Sequence, residues 1–345
     1  MDLNYVVKDE TNIRQVLKEH FGISNRLLLK LKQNKKIYLN GSNNIYLDFP
    51  VKENDLIEVD LNFEEDNSNI VPVKMDLKIL YEDDSLIIID KPPHMPVHPS
   101  LNHYENSLSN GLKYYYDSIN LHRLIRPINR LDKNTSGIVM FAKNEYIQSR
   151  LKAYTKEYIA IVVGKLEGKG IIDKPIKRKA DSIIERCVSS RGEKAITEYE
   201  VIKNFNISGE DLTEVKCILH TGRTHQIRVH MAYIGHPILG DTLYGKSSDL
   251  IDRQALHAYR IKFVHPITKK EIEIVSKPIS RVLFKVIIYL GYVLLHTSCH
   301  QIKEMTSSLS LLVSVLLQMG FTRLDVSPHL RWALTSPFHP YLKKL

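Results

Sequence analysis

The chain has 345 residues, 43% hydrophobic and 25% charged, with a formal net charge of +9 and a pI near 9.2. That length suits two or three domains with their own cores, and the composition is that of a soluble globular protein. The longest apolar run, Val282 to Leu295, is interrupted by Lys285 and falls short of the roughly 20 residues that span a bilayer, which argues against a membrane protein. Residues 1–10 lack the basic-then-apolar pattern of a secretory leader. Cys187, Cys217 and Cys299 lie far apart with no paired spacing, so a reduced, cytoplasmic compartment is expected. The positive balance makes a polyanion, most often nucleic acid, the expected partner.

Residues 1–60 read as a small α+β module. Ile13, Val16, Leu17 and Phe21 recur at helical spacing before Gly22, and Ser24 is a good N-cap for a second helix over Asn25 to Lys32. Short strands are expected at Ile37 to Leu39, Ile45 to Leu47 and Leu56 to Val59. Arg26, Lys32, Lys35 and Lys36 concentrate positive charge at the end of one short helix. Such a cluster can be a solvated face, or a patch that binds phosphates and releases counterions without reading bases. Residues 61–73 turn acidic and rich in Asn and Ser, without periodicity, and read as a linker that repulsion would keep off RNA.

Residues 74–280 read as one larger domain. Leu77 to Leu80 and Leu86 to Ile89 are strand-like, and Asp90 to Pro99 is too rich in proline for regular structure. Ser107 to Tyr116 reads as a helix whose tyrosines pack. The centre of the domain is Arg126 to Lys143, RPINRLDKNTSGIVMFAK: an acid, Asp132, then a polar turn ending at Gly137, then an apolar strand. Asp132 is therefore expected on a loop at the mouth of a sheet. Further strands follow at Lys156 to Gly164, Gly192 to Val201 and Thr213 to Leu219, with a basic, exposed loop between Ile176 and Arg191. Ile227, Met231 and Ile234 predict a helix whose first turn carries Arg223 and Gln226. His220, His225, His230 and His236 put no three ligands on one helical face, so no metal is expected. Residues 281–345 change character, nearly lack acids, and read as a helical appendage, a weakly packed tail or an out-of-frame extension.

The string NRLDKNTSGIVMFAK closely resembles the catalytic signature of the RluA/RluD-type pseudouridine synthases, with Asn129 where that family usually has His. Lys156 to Gly164 resembles the family's second motif, which singles out Tyr158. Thr221 to His230, TGRTHQIRVH, resembles its third almost letter for letter. Ser24 to Arg26, Lys32 to Lys36, Leu39 to Gly41 and Lys52 to Ile57 resemble the S-four-type RNA-binding domain.

The resemblance implies an α+β catalytic domain on a mixed, largely antiparallel sheet, preceded by the small α+β RNA-binding domain. It implies an isomerase that detaches uracil from its ribose in RNA, turns it, and rejoins it through carbon five, needing no cofactor. A carboxylate, Asp132, would either attack the anomeric carbon or take a proton from its neighbour. Burial tends to neutralise an acid and an Arg within ~4–6 Å opposes this; the resemblance gives that part to Arg223. Tyr158 would be the base at carbon five or a stacking partner, and Arg130 would fill the gap left by the extruded uridine. Gln226 and Arg228 would contact RNA. Large-subunit ribosomal RNA is the favoured substrate, transfer RNA the runner-up, and a catalytically silent RNA-binding or assembly factor the alternative. A monomer with no membrane partner is expected.

Overall fold

The computed structural model describes residues 2–278, apart from 101, 102, 152 and 208; the expected tail at 281–345 lies outside the described residues. The first elements are β1 (Leu3–Val6), β2 (Thr11–Asn12), α1 (Ile13–Gln15), α2 (Asn25–Gln33), β3 (Ile37–Leu39), β4 (Pro50–Val51) and β5 (Leu56–Val59). Helix α1 runs on through one wider turn, Val16–His20, and the buried Ile13, Val16, Leu17 and Phe21 form its inner face. Ser24 caps α2 by accepting the Leu27 amide at 3.2 Å. Antiparallel β1, β5 and β3 make a three-stranded sheet beneath these helices.

The strand expected at Ile45 to Leu47 does not form. Leu47 is buried and its carbonyl accepts the Arg14 amide at 2.8 Å, so this backbone is committed to the start of the helix. The pairing falls to β4 instead, against β2. β1 was not expected, because four residues of mixed polarity carry little pattern until β5 lies beside them.

The larger part comprises β6 (Ile79–Glu82), β7 (Leu86–Lys91), α3 (Leu108–Ser118), β8 (Arg126–Pro127), β9 (Ser136–Ala142), α4 (Glu145–Arg150), β10 (Ala153–Val163), β11 (Lys169–Asp173), β12 (Ile176–Arg178), β13 (Arg186–Val188), β14 (Ile196–Ile207), β15 (Glu210–Leu219), α5 (Gln226–Tyr233), β16 (Leu256–Val264) and β17 (Glu271–Val275). Ten strands form one sheet in the order β11-β14-β15-β10-β16-β9-β7-β6, with β17 on β16 and β8 on β9. β12 and β13 pair separately as a hairpin. The fold is α+β, with a mixed, largely antiparallel sheet: within the ten-stranded sheet only the β16–β9 contact is parallel.

That parallel contact is short and unusually close. Gly137 pairs with Ala258 and sits at φ +107°, where a Cβ would lie 2.3 Å from the Ala258 carbonyl oxygen. Only glycine fits there. The same row runs on through Ala258 to Tyr158 on β10 and Cys217 on β15. An irregularity between Glu157 and Tyr158 in the β10–β16 pairing adjusts the register at the phenol. The loop that ends at Gly137 is thereby brought to the edge on which Tyr158 lies.

Residues 61–73 contain no helix or strand but are held down. Leu61 and Phe63 are buried, and a continuous apolar cluster runs from Leu3 through Phe63 to Leu86, Ile138, Met140, Ile147 and Phe263. Glu65 takes Arg126 through both carboxylate oxygens at 2.6 Å each, and Lys30 at 2.6 Å. Burial opposes the charge on Glu65, but Arg126 and Lys30 outweigh it and hold the carboxyl at about 2. The acidity of this segment, expected to repel RNA, is at Glu65 spent on the fold.

Candidate active site

Asp132 lies on the loop between β8 and β9, where the Thr135 amide donates to its carbonyl at 3.0 Å. Its side chain is 29% exposed and lines an open cleft together with Arg130, Leu131, Tyr158, Arg223, His225 and Arg228, among others. Arg228 Nη1 donates to Asp132 Oδ2 at 2.9 Å. The rest of that guanidinium grips Asp241, Nε to Oδ2 at 2.7 Å and Nη2 to Oδ1 at 2.8 Å. Asp241 is fully buried, and its Oδ1 also accepts the amides of Leu243 and Tyr244. Arg228 further lies 5.1 Å above the Tyr244 ring. Burial works against the Arg228 charge, and the two carboxylates overcome it and raise its pKa. Asp132 Oδ1 has no hydrogen bond among the described residues, so one carboxylate oxygen is anchored and the other is left without a partner.

The expected Arg223–Asp132 pair is absent. Helix α5 starts at Gln226, so Arg223 lies before it in the turn; its Nε donates to the Lys194 carbonyl at 3.1 Å and its Nη1 pairs with Glu193. Arg223 is exposed at the cleft rim. Arg228, expected on RNA, is the buried partner of the acid. Gln226 is likewise not available to RNA. Its Oε1 accepts the Thr221 hydroxyl and the Arg223 amide, and its Nε2 donates to Ile196 O and Thr197 Oγ1, all within 3.0 Å. Sequence reading gave Arg228 to RNA because the burial of α5 from Gln226 to Met231, polar residues included, is not visible in residue order. The available signal was Asp241, the acid that makes a buried arginine tolerable.

Tyr158 is 9% exposed, and its hydroxyl makes no hydrogen bond among the described residues. Burial first, and the Asp132 charge second, push its phenol well above the ordinary tyrosine value. Arg130 is exposed at the mouth of the cleft. Asn129 shows how this chain manages without the family's usual histidine. Its side chain donates to Ile138 O at 2.9 Å and accepts the Met140 amide at 2.8 Å, which extends the β8–β9 ladder to the residue three before the acid. One carboxamide supplies a donor and an acceptor side by side, which an imidazole cannot do toward one strand.

Lys91, unremarked in the sequence, closes the loop from behind. It is fully buried at the end of β7, and its Nζ donates to the carbonyls of Pro92 (2.9 Å), Met95 (2.7 Å) and Lys133 (3.0 Å). Burial, then Arg253, pull its ammonium down to about 7, against the pull of Asp132. It ties the proline-rich segment to the residue following the acid.

On the small module, Lys32 and Lys35 are exposed and make no ion pair among the described residues. Arg26 is exposed with Glu145 at 3.7 Å, and Lys36 is engaged by Asp60. The expected patch is thus thinner than four free cations. Among the described residues no helix is long and apolar enough to cross a membrane.

The mixed sheet thus brings one anchored carboxylate and one buried phenol to the same cleft. A family model described as RNA pseudouridylate synthase matches residues 85–233. The RNA pseudouridine synthase YjbO of Bacillus subtilis (strain 168) is 38% identical over 257 residues, covering 72% of this chain and 89% of that protein. Ribosomal large subunit pseudouridine synthase D of Vibrio cholerae serotype O1 is 40% identical over 217 residues, 57% of this chain and 66% of its own. The solved structure of human RNA Pseudouridylate Synthase Domain Containing 1 aligns at 25% identity and a TM-score of 0.49, over 59% of this chain and 84% of that one. The chain belongs to the RluA/RluD-type RNA pseudouridine synthases, isomerases of uridine in RNA.

Proposed function

We propose that this enzyme acts on large-subunit ribosomal RNA and that Asp132 is the carboxylate that reaches the ribose. The observation that carries the second point is the division of labour on that side chain, which lines the cleft: Arg228 holds Oδ2 and leaves Oδ1 without a hydrogen bond among the described residues. An oxygen so placed can attack the anomeric carbon or take the neighbouring proton, and both routes need a fixed carboxylate rather than a mobile one. Tyr158 would lie against the extruded base. Its raised pKa favours the neutral phenol, which suits stacking and hydrogen bonding better than service as a base. Arg130 would enter the gap left in the helix, and Arg223 at the rim would meet a phosphate. Residues 1–60 would act as the S-four-type RNA-binding domain, positioning RNA through Lys32, Lys35 and Arg26. The ribosomal substrate is supported by this basic module and by the name of the Vibrio relative.

The test is tritium release from RNA labelled at uracil carbon five, comparing wild type with Asp132→Ala. Release from large-subunit ribosomal RNA by the wild type alone is expected. Release from transfer RNA only would overturn the substrate, and release by neither protein from any cellular RNA would mean a silent binding factor.

A further inference from the structure

The residue that caps α5 is in an expensive conformation. His225 has φ +57° and ψ 20°, the left-handed region, and its side chain makes no capping bond to the helix. A non-glycine residue held there is strained, and such strain concentrates where a side chain must be aimed. Here it aims the imidazole between two partners. Nδ1 lies 2.8 Å from the Tyr244 hydroxyl, and Nε2 lies 3.7 Å from Asp132 Oδ2.

The tautomer follows from the neighbours of Tyr244. Its hydroxyl oxygen accepts the Arg186 backbone amide at 2.8 Å, at the turn end of the β12–β13 hairpin, where Arg186 pairs with Arg178. The phenol's own hydrogen then has His225 Nδ1 as its partner among the described residues. Nδ1 is therefore the acceptor, and the imidazole hydrogen sits on Nε2, the nitrogen that faces the acid. The charged groups around the ring are Asp132, Arg228, Asp241 and Arg186; burial, the largest influence, favours the uncharged ring. At 3.7 Å, Nε2 and Oδ2 are not yet hydrogen-bonded, but such contacts commonly tighten when substrate is seated.

Resting on Asp132 as the reacting acid, we propose that His225 is a positioning residue, a neutral imidazole locked by Tyr244 with its hydrogen on Nε2, which joins Arg228 in holding Oδ2. Two donors on one oxygen fix which carboxylate oxygen meets the ribose. No proton leaves the imidazole in this role. The arrangement also links the basic hairpin to the acid, through Arg186, Tyr244 and His225 in turn.

Nitrogen-15 spectra of the full chain labelled at histidine, with His225 assigned by difference from His225→Gln, read the tautomer directly. The neutral Nε2–H form is expected at pH 7 in wild type, and a tautomer mixture in Tyr244→Phe. An Nδ1–H form or an imidazolium in wild type would overturn the proposal. In the tritium assay Tyr244→Phe should lower kcat roughly ten- to hundredfold, as when the partner that orients a functional histidine is lost, with KM little changed. His225→Gln, which keeps an N–H near the Nε2 position, should retain more turnover than His225→Leu. Unchanged kcat in Tyr244→Phe, or a loss confined to KM, would overturn it. Should wild type release no tritium from any RNA, the assignment of Asp132 fails, while the spectra still decide the tautomer.

Discussion

Two buried arginines, Arg126 and Arg228, each grip a carboxylate through a two-nitrogen fork. Arg126 closes on Glu65, both of whose oxygens are taken, with Lys30 as a second cation; the Glu65 side chain is 7% exposed. Arg228 closes on Asp241 and has one nitrogen left for Asp132, a side chain 29% exposed with one oxygen unclaimed. In the first cluster both carboxylate oxygens of Glu65 are taken by cations of the protein itself, so the pair holds elements together. In the second, Asp241 anchors the arginine and Asp132 is the part left facing the cleft. Residual capacity for interaction, rather than charge, separates the two ion pairs.

The sharpest attempt to break this comparison sets Asp132→Asn against Glu65→Gln in the tritium assay. The first should lose on the order of 10³-fold or more in turnover, and the second should stay within about twofold below its melting temperature. Equal losses would erase the distinction. A second contrast concerns stability. Arg228→Met leaves Asp241 buried and unpaired, and Glu65→Ala leaves Arg126 so; each should cost about 3–5 kcal/mol in urea unfolding. Adding Asp241→Leu to Arg228→Met should recover much of that stability and none of the activity, and recovered turnover would remove Arg228 from the site.

The smallest effect is a pH dependence confined to the structural pair. Glu65 titrates near 4.3 when unfolded and at about 2 when folded, so its contribution is full above the unfolded value. It is lost as pH falls through the folded one. Wild type should therefore lose up to roughly 3 kcal/mol between pH ~5 and ~2 that Glu65→Gln does not lose. Parallel curves for the two proteins across that window would show that Arg126 does not hold the acid down.

Much of the site could be read from residue order. Asp132 before a polar turn and an apolar strand, and Tyr158 on a β-branched strand, stand where the pattern puts them, because period-two alternation and turn chemistry are local properties. Asn129 was legible as a hydrogen-bonding residue, but its bidentate hold on Ile138 and Met140 was not, since that depends on β8 lying beside β9. Arg223 and Arg228, five residues apart in one motif, could not be told apart by type.

By itself the sequence determined the family, the α+β class, and the places of Asp132 on a loop and Tyr158 on a strand, all of which rest on contacts between near neighbours or on long motif matches. Only the tertiary structure decided which guanidinium meets Asp132, which way His225 points and that Glu65 binds rather than repels. Each of those choices requires a partner from a distant part of the chain, Asp241, Tyr244 or Arg126, and a charge is buried only where such a partner meets it.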